Sequence, residues 1–309
     1  MTYFKLILTA FFWGGTFIAG KGLAHHIDPY SAAFFRFVIA SIFLVFLTIR
    51  MEGGLPKIGL RQVIHVTLLG MTGIFSYNIC FFTGLSFINA NRASLIIATN
   101  PIFISLFSAL IFKESLTPLK ITGLCLSVIG AMVVISNGDP ALILESGLGR
   151  GEAAIFGCVL SWVAYSLLGR PLMKDLSPMA SVCYSSIAGT ILLLIPALGH
   201  HVLSNAPSYT LVEWGSLFYL GFFGTVLGFF WYYQAIREIG PMKAGVFINF
   251  VPLSAIILAW LILGESITPA ILSGGALVIS GVYLTNAGEA LKNLFIKRKQ
   301  KKQIQGRRS

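Results

Sequence analysis

Charged residues are scarce in this chain of 309 residues, and their scarcity excludes several classes of protein. Only 11% of the residues are charged and 56% are hydrophobic. A soluble domain has about 25% charged and about 45–50% apolar residues. The mean hydropathy of +0.84 points the same way. A soluble globule this apolar would have too little polar surface to stay dispersed, which excludes a soluble enzyme, a disordered protein and a nucleic-acid-binding domain.

Chemically reactive clusters are also missing. None of the cysteines forms a C-x-x-C pair, so neither a metal site, a redox motif nor a disulfide framework is indicated. The pairs His25-His26 and His200-His201 lie in loops without the further ligands that a metal needs. We predict no catalytic residue, no metal and no cofactor, and a protein that is not an enzyme.

Carboxylates are absent from the centre of every apolar run. All 11 Asp and Glu residues lie in loops or at the ends of runs. Proton-driven transporters often keep an acidic relay inside the membrane, where a charge is costly and is retained for use. If the chain is a transporter, this absence favours facilitated diffusion or exchange, and tight proton coupling stays open as the alternative.

Positive charge is plentiful but concentrated. Of the 22 Lys and Arg residues, eight lie between Lys292 and Arg308, and the others are scattered between apolar runs. No platform of interleaved basic and aromatic residues suggests nucleic-acid binding. A basic tail beside a membrane span fits contact with anionic lipids, at about 1 kcal/mol per charge. The expected partners are therefore membrane lipids and a small-molecule substrate.

Long apolar runs are what the sequence does have. A helix that crosses a bilayer needs about 20 mostly apolar residues. Such runs occur at 3–23, 31–50, 62–85, 92–112, 118–136, 152–169, 179–199, 212–235, 243–263 and 269–287. The runs lack the alternation of barrel strands, and lipid leaves no backbone group unpaired, so helices are the only workable structure. We predict an all-α integral membrane protein with ten transmembrane helices.

The loops between the runs indicate the orientation. With a cytoplasmic N-terminus, the inner segments hold 18 of the Lys and Arg residues and the outer segments hold three. Inner loops are the ones enriched in Lys and Arg. We expect a multi-pass protein of the cell (inner) membrane with both termini in the cytoplasm.

The chain repeats itself. An offset of 151 places Glu114-Ser115 over Glu265-Ser266 and Pro101 over Pro252, and near the start an offset of 149 places Trp13 over Trp162. The repeats are predicted at 1–136 and 151–287, joined by a linker loop at 137–150 and followed by a basic tail at 288–309. Five spans is an odd number, so the second repeat enters the membrane from the opposite side. Inverted repeats are typical of alternating-access transporters.

Several motifs recur in both halves, and in order they resemble the EamA-type half of the drug/metabolite transporter superfamily. The first half carries Trp13-Gly14, Pro29, Arg36, Asn100-Pro101, Glu114, Gly123 and Gly130. The second half carries Trp162, Pro178, Pro252, Glu265, Gly274 and Gly281. It departs by having Ser185 in place of Arg36 and Val251 in place of Asn100. The resemblance implies a ten-helix exporter or exchanger of amino acids and related metabolites.

Aromatic and amide side chains inside the spans are the candidate substrate contacts. We predict this role for Trp13, Tyr77, Asn78, Asn100, Trp162, Tyr165 and Asn249. Aromatic walls with a few polar groups suit neutral or aromatic amino acids. Plain packing is the alternative for the aromatic residues, and interhelical hydrogen bonds are the alternative for the amides.

Three further residues within the spans, and two carboxylates at their ends, have candidate roles. Pro101 and Pro252 lie midway along their runs and are candidate hinges, because a proline inside a helix bends it. Arg36 lies about five residues inside the second run. It is a possible counter-charge for a substrate carboxylate, or it reaches the outer surface or pairs near Asp28. Glu114 and Glu265 are expected to cap the helices that follow them, with a gate role as the alternative.

Two other segments have predicted positions. The run Phe229–Tyr233 is expected to form an interfacial aromatic belt. Small residues at Gly123, Gly130, Gly274, Gly275 and Gly281 fit either a dimer face or internal packing, so a monomer and a homodimer both stay open.

These observations predict a polytopic transporter that exports or exchanges small metabolites by alternating access of two inverted halves. Neutral or aromatic amino acids are the expected substrates. Proton-coupled efflux of drugs or metabolites is the first alternative. An integral membrane enzyme acting on lipid-linked substrates would need a cluster of His, Asp or Glu at the membrane surface, and a channel would need a ring of filter residues.

Overall fold

The computed structural model describes residues 1–23, 26–88, 93, 96–139, 141, 149–263 and 267–286. His25, Arg92, Glu265, the tail at 288–309 and most of the predicted linker at 137–150 lie outside the described residues. Every regular element in the described part of the chain is helical. The predicted all-α class is therefore confirmed.

The first half contains five helical segments. They are α1 (Thr2–Leu23), α2 (Pro29–Glu52), α3 (Leu60–Leu69, Gly70–Ser76 and Tyr77–Phe87 in continuation), α4 (Asn100–Phe112) and α5 (Pro118–Ile135). Asp28 defines the start of α2, because its carboxylate accepts a hydrogen bond from the backbone N–H of Ser31 at 2.9 Å and Pro29 follows at the first helical position. Gly53 ends α2 with a φ of 78°, which a glycine adopts without strain.

The second half also contains five segments. They are α6 (Arg150–Leu172), α7 (Pro178–Gly199), α8 (Leu211–Tyr219, Leu220–Leu227 and Gly228–Ile239), α9 (Pro241–Gly245, Val246–Asn249 and Phe250–Leu263) and α10 (Pro269–Asn286). α7 begins as α2 does: Ser177 accepts from the backbone N–H of Ala180 at 2.9 Å and Pro178 follows. Two short turns, Val202–Asn205 and Ala206–Ser208, lie between α7 and α8.

Eight helices in the described residues are long and apolar enough to cross a membrane: α1, α2, α3, α5, α6, α7, α8 and α10. α4 has 13 residues, and the α-helical part of α9 has 14 because a 3₁₀ turn at Val246–Asn249 interrupts it. The prediction of ten spans therefore requires that the two shorter helices, α4 and α9, cross the membrane as well. Large apolar side chains such as Ile42, Phe46 and Ile195 are more than 60% exposed, as lipid-facing side chains are.

The same irregularity occurs in both halves at equivalent positions. α3 contains a π-helical segment at Gly70–Ser76, and α8 contains one at Leu220–Leu227. With the offset of 151, Gly70–Ser76 corresponds to 221–227. A π-helical turn is uncommon and often marks a functional site. The two halves therefore share an unusual local structure as well as sequence motifs.

Repeat-related helices run antiparallel where they meet. Between α2 and α7, Asp28 pairs with His200, Ser41 with Thr190, and Glu52 with Ser177, so one helix ascends as the other descends. Ser41 and Thr190 correspond under the offset of 149, and their hydroxyl oxygens are 3.1 Å apart. The pseudo-twofold relation between the halves therefore passes near this contact.

α5 and α10 meet in the same antiparallel way through glycines. A Cβ built on Gly123 would lie 2.7 Å from the carbonyl oxygen of Gly281, and one built on Gly130 would lie 2.6 Å from that of Gly274. Only glycine permits this approach of two backbones. These four glycines pack inside one chain, which is the internal-packing alternative of the sequence analysis.

Candidate functional site

A cavity opens between the two halves. Its empty volume is ≈ 920 Å³ including the mouth. It is lined by Trp13, Thr16, Gly20, Ala32, Arg36, Tyr77, Asn78, Phe81, Phe82, Ile97, Asn100, Trp162, Leu220, Phe229, Ile248 and Val251. These residues belong to α1, α2, α3, α4, α6, α8 and α9, or directly precede α4, so the cavity draws on both repeats.

The lining residues are unevenly distributed along the helices. Gly20 near the last turn of α1 and Ala32 in the first turn of α2 both line the cavity, so we call this the open end. The opposite end, where α4 and α6 terminate near Phe112 and Leu172, contributes no lining residue from the described part of the chain. We call that the closed end.

Two repeat-related tryptophans form the aromatic floor of the cavity. The rings of Trp13 and Trp162 meet edge to face with centroids 5.2 Å apart. Phe229 and Tyr77 pack on Trp162 at 5.2 and 5.6 Å. The indole N–H of Trp13 donates to the carbonyl of Gly224 at 2.8 Å, which holds this ring against α8. Because Trp13 and Trp162 correspond under the repeat, the cavity lies on the pseudo-twofold relation.

Arg36 is the charged residue in the described lining. Its Nε donates to Oγ1 of Thr225 at 3.0 Å, and that hydroxyl donates to the carbonyl of Leu220 at 3.1 Å, five residues earlier in the π-helical segment. The irregular turn of α8 therefore positions the hydroxyl that holds the guanidinium. Asp28 accepts instead from Ser31 and pairs with His200, so Arg36 does not pair with it.

Two predicted amides, Asn78 and Asn100, also line the cavity. Nδ2 of Asn78 donates to the carbonyl of Ile74 at 2.6 Å, one turn earlier in α3. Asn100 is 1% exposed, and its Oδ1 has no hydrogen-bond partner among the described residues. A buried amide oxygen without a partner is costly unless something occupies it.

Two predicted site residues lie outside the lining. Tyr165 packs behind Trp162, with ring centroids 5.4 Å apart, and lies against Gly73 of α3. Asn249 donates through Nδ2 to Oγ of Ser127 at 3.0 Å and is fully buried. That contact joins α9 to α5, which is the interhelical alternative considered for the amides.

The local setting of the prolines differs from the one expected. Pro101 is the second residue of α4, and Pro252 is the third residue of the α-helical part of α9. Both prolines therefore lie near the middle of their predicted spans, as expected, but each stands in the first turn of an α-helical part and not inside one. Proline lacks an N–H and is tolerated in the first turn, where that donor has no partner in any case. Both prolines mark a helix that begins inside the bundle, next to the cavity residues Asn100 and Val251.

Three buried tyrosines fill the closed end. Tyr165, Tyr232 and Tyr233 are each at most 1% exposed. The hydroxyl of Tyr233 donates to the carbonyl of Tyr165 at 2.8 Å, and the hydroxyls of Tyr232 and Ser166 are 3.0 Å apart. These contacts join α6 to α8 beneath the tryptophan floor and separate the cavity from the far surface.

Glu114 and Arg170 form an ion pair at the surface of the closed end. Arg170, in the last turn of α6, also stacks over Phe112 at 4.5 Å. The cap of α5 comes instead from Thr117, whose hydroxyl accepts from the backbone N–H of Lys120 at 3.3 Å. The expectation that Glu114 caps α5 is therefore wrong, because a cationic partner on α6 lies within its reach.

The predicted aromatic belt is also wrong in part. Phe229 lines the cavity, and Tyr232 and Tyr233 belong to the closed end. These three residues recur at i, i+3 and i+4, the spacing of one helix face, and that spacing is the signal that could have assigned them to the interior. Thr16, Phe81, Phe82 and Thr225 were also missed, and nothing in their local sequence distinguishes them from packing residues.

Metal ligands do not cluster in the described residues, where no group of three or more His, Cys, Asp or Glu side chains could hold an ion. The described carboxylates all lie at helix ends or in turns: Asp28, Glu52, Glu114, Asp139, Glu152, Asp175, Glu213 and Glu238. The site is therefore an aromatic cavity with one fixed cation and two amides.

The EamA-like transporter family model matches the chain twice, at residues 1–136 and 149–287. The chain belongs to the EamA-like transporter family. As a member of this family, it is a membrane transporter. The match confirms the resemblance noted in the sequence. The family also points away from an enzyme.

Named relatives cover nearly the whole chain. The "uncharacterized transporter YyaM" of Bacillus subtilis (strain 168) is 31% identical over 287 residues, 93% of each chain. A protein of Streptantibioticus cattleyicolor named "probable terminal-alkyne amino-acid exporter" is 29% identical over 286 residues, 91% of this chain and 92% of its own. A crystal structure that is 19% identical covers 92% of this chain and 97% of its own with a TM-score of 0.75, which supports the fold alone.

Proposed function

We propose that this transporter exports or exchanges small metabolites, above all neutral or aromatic amino acids, by alternating access between two inverted halves. The observation that carries the proposal is the cavity on the pseudo-twofold relation, which is floored by Trp13 and Trp162 and which the described residues line toward one end only. Inverted repeats have two nearly equivalent arrangements, one open to each side. The antiparallel packing of α2 on α7 and of α5 on α10 supports the inversion.

The proposed architecture has ten spans, with 1–136 and 151–287 as the two repeats, 137–150 as linker and 288–309 as a basic cytoplasmic tail. Of the 13 described Lys and Arg residues, Arg36 lines the cavity, Lys21 and Arg150 lie at the open end, and ten lie at the closed end: Lys5, Arg50, Lys57, Arg61, Lys113, Lys120, Arg170, Lys174, Arg237 and Lys243. The positive-inside rule then assigns the closed end to the cytoplasm and the open end to the outside of the cell membrane. The cavity in this arrangement faces outward.

The roles of the predicted site residues follow from their positions. Trp13, Tyr77 and Trp162 would form aromatic walls, and Asn78 and Asn100 would supply polar contacts. Tyr165 and Asn249 would act behind the cavity, where they support its floor and the start of α9. Pro101 and Pro252 would let α4 and α9 tilt where their α-helical parts begin.

Amino acids are supported as substrates by the cavity chemistry and by one relative. A guanidinium, two amides and aromatic walls match a carboxylate with an apolar side chain. The relative named a probable amino-acid exporter is similar over nearly the whole chain. We propose transport without tight ion coupling, since the described carboxylates lie outside the centre of the bundle. The transporter would act as a monomer or a homodimer.

Counterflow into proteoliposomes tests the proposal. Vesicles preloaded with a mixed pool of amino acids and related metabolites are diluted into labelled phenylalanine, with and without a pH gradient. We expect saturable, gradient-independent accumulation of the label. Accumulation only under the gradient would contradict the absence of coupling and favour proton-coupled efflux. Unsaturable flux would contradict alternating access.

A further inference from the structure

The charge of Arg36 is not neutralised by any described part of the protein. No carboxylate among the described residues forms an ion pair with it, and its hydrogen bond goes from Nε to the neutral hydroxyl of Thr225. A charge at this depth in a membrane protein is expensive and is retained for use. Because Nε is already fixed, the two Nη groups are the part of the guanidinium that remains available to a ligand.

The second repeat does not supply a matching cation. The position equivalent to Arg36 is Ser185, whose hydroxyl donates to the carbonyl of Val182 at 3.0 Å within its own helix. The cavity is therefore symmetric in its tryptophan floor and asymmetric in charge. A ligand bound there has one preferred place for a negative group.

A second unsatisfied polar group lines the same cavity. Oδ1 of Asn100 is buried without a partner, although an amide can both accept and donate hydrogen bonds. Asn100 is also the first residue of α4, whose 13 residues place the positive end of a helix dipole at the cavity wall. The unpartnered oxygen favours a hydrogen-bond donor on the ligand, and the helix dipole adds to the positive potential that Arg36 gives the cavity.

Acidic side chains are absent from the described lining. A substrate ammonium would find no carboxylate there to pair with, whereas a substrate carboxylate finds Arg36. The electrostatics of the cavity therefore select for the acid group of an amino acid and not for its amino group.

We propose that the cavity recognises monocarboxylates with an aromatic or branched apolar body, in which the carboxylate binds Arg36 and a polar group on the neighbouring carbon binds Asn100. The neighbouring group is an amine or a hydroxyl, which donates to Oδ1 of Asn100, or an oxo group, which accepts from its Nδ2. This inference rests on the proposed function and extends its substrates from amino acids to 2-hydroxy and 2-oxo acids.

A set of matched compounds separates the carboxylate from the amine. Labelled phenylalanine counterflow in proteoliposomes is measured against unlabelled phenylpyruvate, phenyllactate, phenethylamine and phenylalaninol. We expect the two acids without an amino group to compete within about threefold of phenylalanine, and the two compounds without a carboxylate to compete at least about 10-fold more weakly, the effect of one charge-assisted hydrogen bond. Equal competition by phenethylamine would overturn the inference.

Variants assign the effect to Arg36. Arg36→Gln is expected to weaken competition by phenylpyruvate at least about 10-fold while competition by phenylalaninol stays unchanged, and Arg36→Lys is expected to recover part of the loss. Ser185→Ala, at the equivalent position of the other repeat, is the matched control. Phenylpyruvate and phenylalaninol are expected to compete in this variant as they do in the parent protein. If Arg36→Gln fails to fold, the compound series on the parent protein still decides the question.

The failures are distinguishable. Absence of phenylalanine counterflow in the parent protein would overturn the proposed function. Counterflow in which compounds with and without a carboxylate compete equally would overturn only the present inference.

Discussion

The two ends of the cavity differ at positions that the repeat makes equivalent. The closed end is filled by Tyr165, Tyr232 and Tyr233, each at most 1% exposed. Under the offsets of 149 and 151, the equivalent residues at the open end are Thr16, Phe81 and Phe82, all of which line the cavity. The fold repeats but the chemistry of the two ends does not.

The difference shows what holds one end shut. Tyr233 and Tyr232 carry hydroxyls that bond across to α6, at 2.8 and 3.0 Å. Phenylalanine at the equivalent positions has no hydroxyl, so closure of the open end could use apolar contact alone. Inside a bilayer each interhelical hydrogen bond contributes about 0.6 kcal/mol. The asymmetric tyrosines therefore favour the arrangement in which this end stays closed.

A glycine pair offers the strongest way to reverse that preference. A Cβ on Gly73 would lie 2.2 Å from the ring of Tyr165, whereas a Cβ on the equivalent Gly224 would lie 2.8 Å from the terminal methyl group of Thr16. Gly73→Ala should destabilise the closed end by about 1–3 kcal/mol, a shift of about 5–150-fold in the conformational equilibrium. Gly224→Ala should shift it by less than about twofold, because the Thr16 side chain can rotate away.

Cysteine labelling measures this shift. Gly20 lines the cavity at the open end, and a Cβ there meets nothing within 4 Å, so Gly20→Cys reports access from that end. The reporter is placed in a background with Cys80→Ser and Cys125→Ser, which removes the two native thiols that are not buried. We expect Gly73→Ala to slow labelling of the reporter by an impermeant maleimide, by up to the 5–150-fold shift (about 1–3 kcal/mol) in the conformational equilibrium. An unchanged rate in a monodisperse protein would contradict the role of Tyr165 in closure.

Removing the tyrosine hydroxyls should make the two ends more alike. The double variant Tyr232→Phe, Tyr233→Phe loses both interhelical hydrogen bonds, each of which contributes about 0.6 kcal/mol inside a bilayer. Labelling of the Gly20→Cys reporter should slow by about 3–10-fold, because the closed end opens more often. The reciprocal variant Phe81→Tyr, Phe82→Tyr should act in the same direction by stabilising closure of the open end. Faster labelling in either variant would refute the comparison.

The ion pair at the closed end should matter less. Glu114 and Arg170 have side chains that are 19% and 35% exposed, so solvent screens their attraction to about 0.2–1 kcal/mol. Glu114→Gln and Arg170→Gln should each slow labelling of the reporter by about 1.5–5-fold, and the exchanged pair Glu114→Arg, Arg170→Glu should restore part of the rate. If the exchanged pair behaves like the sum of the two single changes, the pair does not latch this end.

Much of this organisation could be predicted from the sequence. Hydrophobic length located the helices: the run at 31–50 is α2 at Pro29–Glu52, and the run at 179–199 is α7 at Pro178–Gly199. Trp13, Tyr77, Asn78, Asn100, Trp162 and Arg36 all line the cavity as the candidate list required. A polar or charged group far inside an apolar run is costly in lipid, so its position is informative.

The remainder depends on packing that no local pattern encodes. The π-helical segment in α8 positions Thr225 against Arg36, but Leu220–Leu227 and its counterpart Gly70–Ser76 look like ordinary apolar sequence. Tyr165 shares a helix face with Trp162 and still falls outside the lining, because the cavity ends at the tryptophan floor. Glu114 and Arg170 are 56 residues apart in sequence, and their side chains meet only because α4 and α6 end close together.

The smallest effect is expected at a contact between two repeat-equivalent residues, one from each half. Ser41 and Thr190 are repeat-equivalent, and their contact at 3.1 Å lies on the pseudo-twofold relation between α2 and α7. A change there weakens both arrangements equally, because the contact belongs to neither end. Ser41→Ala should therefore lower the melting temperature slightly, for a loss of about 0.6 kcal/mol, and leave labelling of the Gly20→Cys reporter within about 1.5-fold. A larger change in labelling would mean that α2 and α7 move against each other during transport, and that the asymmetry between the two ends reaches the centre of the protein.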